Sequence, residues 1–214
     1  MRKLLFSLKL PGQLPEGQGG SVARQTLFFC AFFLLVLLLF VFPLSKKAGA
    51  DSCSLSSVAR YIASHSRPAQ PLPVSFRIAG ALMAASRRTH LPLYLLVAVA
   101  QQESSFNPGA VNLASGDYGL LQVHYRFWGS RLAKRSPQGL RAIRRSDLLG
   151  IDVNVRAASL ILIHDLRLAG GDPVGMLGRF SGRVGGAHRQ YVESVLAKGM
   201  EFLGALKRQG VLCR

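Results

Sequence analysis

Nine carboxylates follow residue 50, and most sit where a carboxylate has an ordinary structural task. Asp147 and Asp152 stand at helix starts, Asp172 precedes Pro173 in a turn, and Glu193 and Glu201 fall on the polar side of the last helix. Asp165 shares its helix with Arg167 and reads as solvated. Glu103 is different. It closes a helix whose stretch Leu93 to Ala100 is apolar on every face, just before a turn-rich loop. Loss of solvation beside apolar walls and the negative end of the helix dipole both push a carboxyl pKa up. An acid still protonated near neutral pH can protonate a leaving oxygen as a bond breaks. From position alone, a helix-end glutamate that simply reaches solvent is the commoner case.

Other chemistries find little support. His65, His90, His124, His164 and His188 are scattered without His-Glu-x-x-His spacing, and there is no cysteine cluster, so neither a metal nor a cofactor is expected. Gly170-Gly171 and Gly185-Gly186 read as turns rather than phosphate cradles, and there is no Gly-x-Ser-x-Gly elbow.

The elements that must position Glu103 are helical, with short breaks and no convincing strand alternation. Helices are expected over Leu55 to Ser66, Phe76 to Arg87, Pro92 to Glu103, Asp152 to Leu168, Pro173 to Phe180 and His188 to Gln209. Arg67 to Pro73, with three prolines, reads as a linker, and Ser146-Asp147 as the cap of a short helix. Turns crowd Ser105 to Asp117. The fold class is therefore mainly α, a single domain with a small irregular lobe.

Two motifs then bear on Glu103. Glu103-Ser104-Ser105-Phe106-Asn107-Pro108, followed by Asp117-Tyr118-Gly119-Leu120-Leu121-Gln122-Val123, resembles the signatures of the lysozyme-like superfamily. The nearest resemblance is to the lytic transglycosylases, and among them to those associated with bacterial secretion and conjugation machines. Downstream, Asn154 with Arg156-Ala157-Ala158 resembles the helix following the cleft. Arg179-Phe180-Ser181-Gly182 resembles the family's tyrosine-asparagine-x-glycine, and Tyr191-Val192 its near-terminal tyrosine-valine. The resemblance runs from Leu91 to Leu196 and implies a lysozyme-like fold acting on peptidoglycan glycan strands.

It also implies roles. Glu103 would act as acid and then base. Gln122 and the backbone around Gly119 and Leu120 would hold the sugar, and Ser104 and Ser105 would support the loop or Glu103. Tyr118 and Phe106 would be cleft walls, with core packing the alternative for Phe106. Phe180 and Ser181 depart from the family's Tyr-Asn, and Phe180 cannot donate a hydrogen bond. Either Tyr118 or Tyr191 supplies a replacement hydroxyl, or turnover is reduced. His124, where asparagine is usual, would bind sugar or lie on the surface. Asp117 keeps two alternatives open. It would be the second carboxylate of a lysozyme-type hydrolase, acting as nucleophile about 5 Å from the acid, or the cap of a short helix at Tyr118. A glycan-binding module without activity is the third reading.

The N-terminal part is separate in composition. Residues 1–25 form a basic leader, and 26–50 hold an apolar run in which Leu27 to Val41 contains no polar side chain but Cys30. Counted through Leu44 it is 18 residues long, slightly short of the roughly 20 that span a bilayer upright and long for a signal-peptide core. An apolar helix in the inner membrane via residues 27–44 and cleavage after Ala50 are both open. Either exports Asp51 and the residues beyond it, leaving them membrane-tethered or free in the periplasm. Residues 51–75 then supply a helix and linker, and 76–214 the lysozyme-like domain. Cys53 and Cys213 bracket the exported part, where a disulfide is attractive in an oxidising compartment and two free thiols are the alternative.

Charge agrees with export. Six of the 27 Lys and Arg and only Glu16 of the ten acidic residues precede Asp51, which leaves the exported part at +12. Without an aromatic-interleaved basic motif, this charge suits retention on an anionic surface, not nucleic acid. Partners on this reading are the glycan strands, the inner membrane and a secretion or conjugation complex docked on the basic surface or the Arg131 to Arg145 segment, with a solvated face the alternative for those charges.

Overall fold

A computed structural model of the chain describes residues 54–135 and 143–211. The apolar run at 27–44, the cleavage site after Ala50, and Cys53 and Cys213 of the expected disulfide lie outside the described residues. Among the described residues, no helix is long and apolar enough to cross a membrane.

The order is α1 (Leu55–His65), α2 (Leu72–Thr89), α3 (Leu93–Ser104), β1 (Val111–Asn112), β2 (Asp117–Tyr118), β3 (Val123–His124), α4 (Tyr125–Arg135), a 3-10 turn (Arg145–Leu149), α5 (Ile151–Leu168), α6 (Pro173–Ser181) and α7 (Gly185–Arg208). Several helix starts have a local cause. Ser54 Oγ accepts the Ser57 amide at 3.1 Å ahead of α1, and the Asp172 carboxyl oxygens take the Val174 and Gly175 amides ahead of α6. Pro73 sits in the first turn of α2, where its missing N–H costs nothing, so the expected linker ends earlier and the helix begins at Leu72.

α3 runs through the middle. Its six residues Leu95–Ala100 are all buried, as a stretch apolar all round requires. It packs along α7 and against α2, α2 packs on α1 and α5, and α5 on α6. Val58, Ile62, Leu82, Leu96, Leu162 and Phe202 are fully buried within the one core these helices share. Tyr61 Oη donates to Gln101 Oε1 at 2.9 Å, pinning α1 to α3, while His65 reaches Glu201 Oε1 on α7 at 3.1 Å.

The irregular lobe is a small antiparallel sheet, β1-β2-β3, with Asn112 opposite Asp117 and Asp117 opposite His124. Sequence alternation does not reveal it because each strand is two residues long. Tyr118 accordingly lies in a strand, so Asp117 caps no helix there. The segment after His124 is also helical as α4, which sequence periodicity does not indicate. The short helix expected to be capped by Ser146-Asp147 begins earlier: Arg144 is the N-cap of the 3-10 turn, and Asp147 lies inside it, its Oδ2 reaching back to the Arg144 amide at 2.8 Å.

Candidate active site

α3 ends where Ser105 turns into the left-handed region (φ 50°), with Phe106 following at φ 61°. Ser104 fastens this exit: its hydroxyl donates to Leu120 O at 2.7 Å and accepts the Asn107 amide at 3.1 Å. Ser105 O accepts the Arg67 amide at 2.9 Å. Both serines hold backbone, and Phe106 is fully buried as core.

The glycine motif is bolted down from α5. Asn154, fully buried, accepts the Leu121 amide at 2.8 Å and donates to Tyr118 O and Leu148 O at 2.7 and 2.8 Å. Gly119 lies at φ +79°, and a Cβ there would collide with Leu148 O and Asn154 Nδ2. Gln122, itself at φ 45°, donates from Nε2 to Gly119 O at 2.8 Å and Ala110 O at 3.2 Å. The Leu120 and Leu121 side chains are fully buried in the core. Leu120 thus contributes backbone to the loop, and its side chain packs rather than facing a ligand. Tyr118 packs on the core edge-to-face with Tyr125, centroids 6.3 Å apart.

These supports frame a cleft of about 660 Å³. Of the residues expected at a site, Glu103, Asp117, Gln122, Phe180 and Tyr191 line it; Ser104, Ser105, Tyr118, Gly119 and Leu120 stand behind it. Glu103 has its carboxyl pushed up, first by burial, with a smaller push from Asp117, against the Tyr191 hydrogen bond and the Arg183 charge, which both pull it down. Tyr191 Oη donates to Glu103 Oε1 at 2.5 Å. Tyr191 is therefore the hydroxyl that stands on Glu103, from α7, while Phe180 lines the cleft without one. Burial and the neighbouring carboxylate raise the phenol well above its ordinary range, so Tyr191 stays a donor. The Arg183 guanidinium lies 5.1 Å from the Tyr191 ring centroid.

Asp117 is already engaged on both oxygens. Ser115 Oγ donates to Oδ2 at 2.6 Å, and His124 Nδ1 meets Oδ1 at 2.8 Å across the β2-β3 pair. His124 itself lines the cleft. Phe127, Trp128 and Arg131 on α4, His164 and Asp165 on α5, and Arg179 on α6 complete the walls. Apart from Arg179, which opens the Arg179-Phe180-Ser181-Gly182 stretch, no motif in the sequence marks these residues, although the Phe127-Trp128 pair shortly after Val123 is a signal of an aromatic wall. Asp165 in particular is buried, not solvated, because it falls on the inner face of α5. Among the described residues, no group of three or more His, Cys, Asp or Glu could hold a metal ion.

Tyr191→Phe removes the donor that favours the Glu103 carboxylate, so the Glu103 pKa rises further. A rate that needs protonated Glu103 then keeps its level to higher pH: the alkaline limb of kcat/KM shifts upward. The plateau falls by about tenfold for the lost charge-assisted bond. A pH-rate profile of the variant checks both.

Residues 81–178 match the family model described as the transglycosylase SLT domain, just under half of the 214-residue chain. The mainly helical architecture with its small sheet is consistent with that match, which supports a peptidoglycan-acting domain of the lytic transglycosylase type. Glu103, the 117–122 loop, Asn154 and Asp165 fall inside the matched stretch, while Arg183 and Tyr191 fall beyond it. No curated protein matches the chain.

Proposed function

We propose that this chain is a peptidoglycan lytic transglycosylase that cleaves the β-1,4 bond from N-acetylmuramic acid to N-acetylglucosamine and leaves a 1,6-anhydromuramoyl end. The observation that carries the proposal is the Glu103 carboxyl, desolvated at the end of α3, open on the cleft and held through Oε1 by Tyr191 at 2.5 Å.

That arrangement suits a reaction run by one carboxyl group. Burial favours the protonated form of Glu103, and the Tyr191 and Arg183 contacts temper that push, which suits a proton that is both given and retaken. Glu103 protonates the glycosidic oxygen as the bond to the muramoyl anomeric carbon breaks, and the substrate's acetamido group steadies the developing positive charge. The Glu103 carboxylate then takes the proton of the muramoyl 6-hydroxyl while that oxygen bonds to the anomeric carbon. The acid is regenerated and no water is consumed. Gln122, held by Nε2, keeps Oε1 for the sugar.

A hydrolase would ask Asp117 to attack the anomeric carbon. Its two oxygens are occupied by Ser115 and His124, which supports a role in ordering the sheet edge. Asp117→Asn is therefore expected to cost less than about tenfold in turnover of peptidoglycan, whereas loss of a nucleophile costs about a thousandfold or more. Steady-state assays on purified strands separate the two.

The same proposal includes export. The apolar run from Leu27 and the basic character of the chain beyond Asp51 support an inner-membrane tether, or release after Ala50, with the domain in the periplasm. Local wall remodelling at a secretion or conjugation machine rests on the motif resemblance. Cleavage of isolated sacculi by the protein, with soluble fragments identified by mass, tests the activity.

A further inference from the structure

Asp165 has no part in this chemistry. It is 5% exposed and lines the cleft beside His164 and Leu168, and its carboxyl makes no hydrogen bond or ion pair among the described residues. Burying a carboxylate without a partner is costly, and an apolar residue would pack this helix face better. Burial pushes the Asp165 carboxyl up to about 6, and the nearby Arg179 opposes that rise. Arg179, on the next helix, lines the same cleft. Its charge is felt at Asp165, yet the two form no ion pair. An acceptor whose side chain is largely covered but whose oxygens reach the cleft, and a donor, thus face one open space without closing on each other.

The geometry points to Asp165 and Arg179 as a substrate-binding doublet for a secondary amide, Asp165 accepting the N–H and Arg179 donating to the C=O. The inference rests on the reading of the cleft as a peptidoglycan site. A ligand carboxylate would be repelled by Asp165 and an ammonium by Arg179. A neutral amide carries a donor and an acceptor on opposite sides of one plane, as two side chains held apart require. Peptidoglycan offers amides from two sources, the acetamido groups of the sugars and the peptide attached to the muramoyl residue.

The test uses the full chain in detergent, with Glu103→Gln as the parent so that ligands survive. Its probes are a soluble peptide-bearing tetrasaccharide of the strand and the same tetrasaccharide stripped by an amidase. Asp165→Asn and Arg179→Gln are each expected to weaken binding about tenfold, the size of a charge-assisted hydrogen bond. The double variant loses little more than either, because both groups grip one amide. Parent affinity falls from about pH 7 to about pH 5 as Asp165 is protonated, and Asp165→Asn removes that fall. The other charged groups on the cleft, Glu103 aside, are Asp117, His124, Arg131 and Arg183, with His164 beside Asp165; all are retained in both proteins.

Loss on both probes assigns the acetamido group, and loss on the peptide-bearing probe alone assigns the peptide. Either supports the doublet. Unchanged affinity of both variants for both probes overturns it. A parent that binds neither probe, together with a wild type that cleaves no strand, overturns the reading of the cleft instead. Asp165→Asn removes a buried charge, so its thermal midpoint at neutral pH is expected at or above the parent's. Should it misfold, Arg179→Gln on the exposed side of α6 carries the same test.

Discussion

Glu103→Gln lowers strand cleavage by at least about a thousandfold, while the protein unfolds within roughly a degree or two of wild type. The amide has the size of the carboxyl and still accepts the Tyr191 hydroxyl through its oxygen. What it lacks is a proton that can be given to the glycosidic oxygen and a base to take one back, and both steps fail together. Stability is spared because burial already disfavours the charged form. A carboxyl whose folded pKa exceeds its unfolded value costs stability that builds as pH rises through the unfolded value and is complete above the folded one, and the neutral amide relieves that cost. Kinetics on peptidoglycan beside a thermal melt read both halves. Activity close to wild type would remove Glu103 from the chemistry.

Gly119→Ala has the largest expected effect on the fold. The new Cβ would lie far inside van der Waals contact with Leu148 O and Asn154 Nδ2, at a φ of +79° that side chains rarely adopt. Neither neighbour is free to yield. Asn154 makes three hydrogen bonds that join β2, the glycine loop and the 3-10 turn to α5, and moving it breaks the set. A cost of about 4 kcal/mol or more follows, a large share of a domain's total. The thermal midpoint should fall by roughly 10 °C, measured calorimetrically. A surviving protein would have the 117–122 loop displaced from Glu103 and would cleave poorly. A melt unchanged from wild type would mean that the loop packs on α5 differently.

These two residues differ in how much of their role the sequence carries. Glu103 is legible because two local signals meet at it, a fully apolar helix and the motif after it. Gly119 is legible as part of a motif, but as a residue holding sugar; its steric reason needs Asn154, which lies 35 positions later in the chain. Long helices with an apolar stripe, such as α5 and α7, declare themselves by periodicity. α4 does not. From Tyr125 to Leu132 only Gly129 and Leu132 are buried, and the exposed Arg126, Phe127 and Arg131 leave no apolar stripe to detect. The strands are too short to alternate.

Asp165 shows the limit most plainly. Its sequence neighbours suggest a solvated acid, and only the packing of α6 on α5 turns it inward. Likewise, Phe180 stands where the resemblance leads one to expect a tyrosine, and the missing hydroxyl comes from Tyr191 on another helix. Tertiary contacts of this kind leave no trace in local spacing.

Fragment masses decide between the two chemistries in one experiment. The full chain in detergent is incubated with purified peptidoglycan, Glu103→Gln alongside, and the soluble products are weighed by mass spectrometry. Ends carrying 1,6-anhydromuramic acid, one water lighter than hydrolysed ends and absent from the variant, are the predicted result. Ordinary reducing ends would contradict it, making the protein a hydrolase and returning Asp117 to the chemistry.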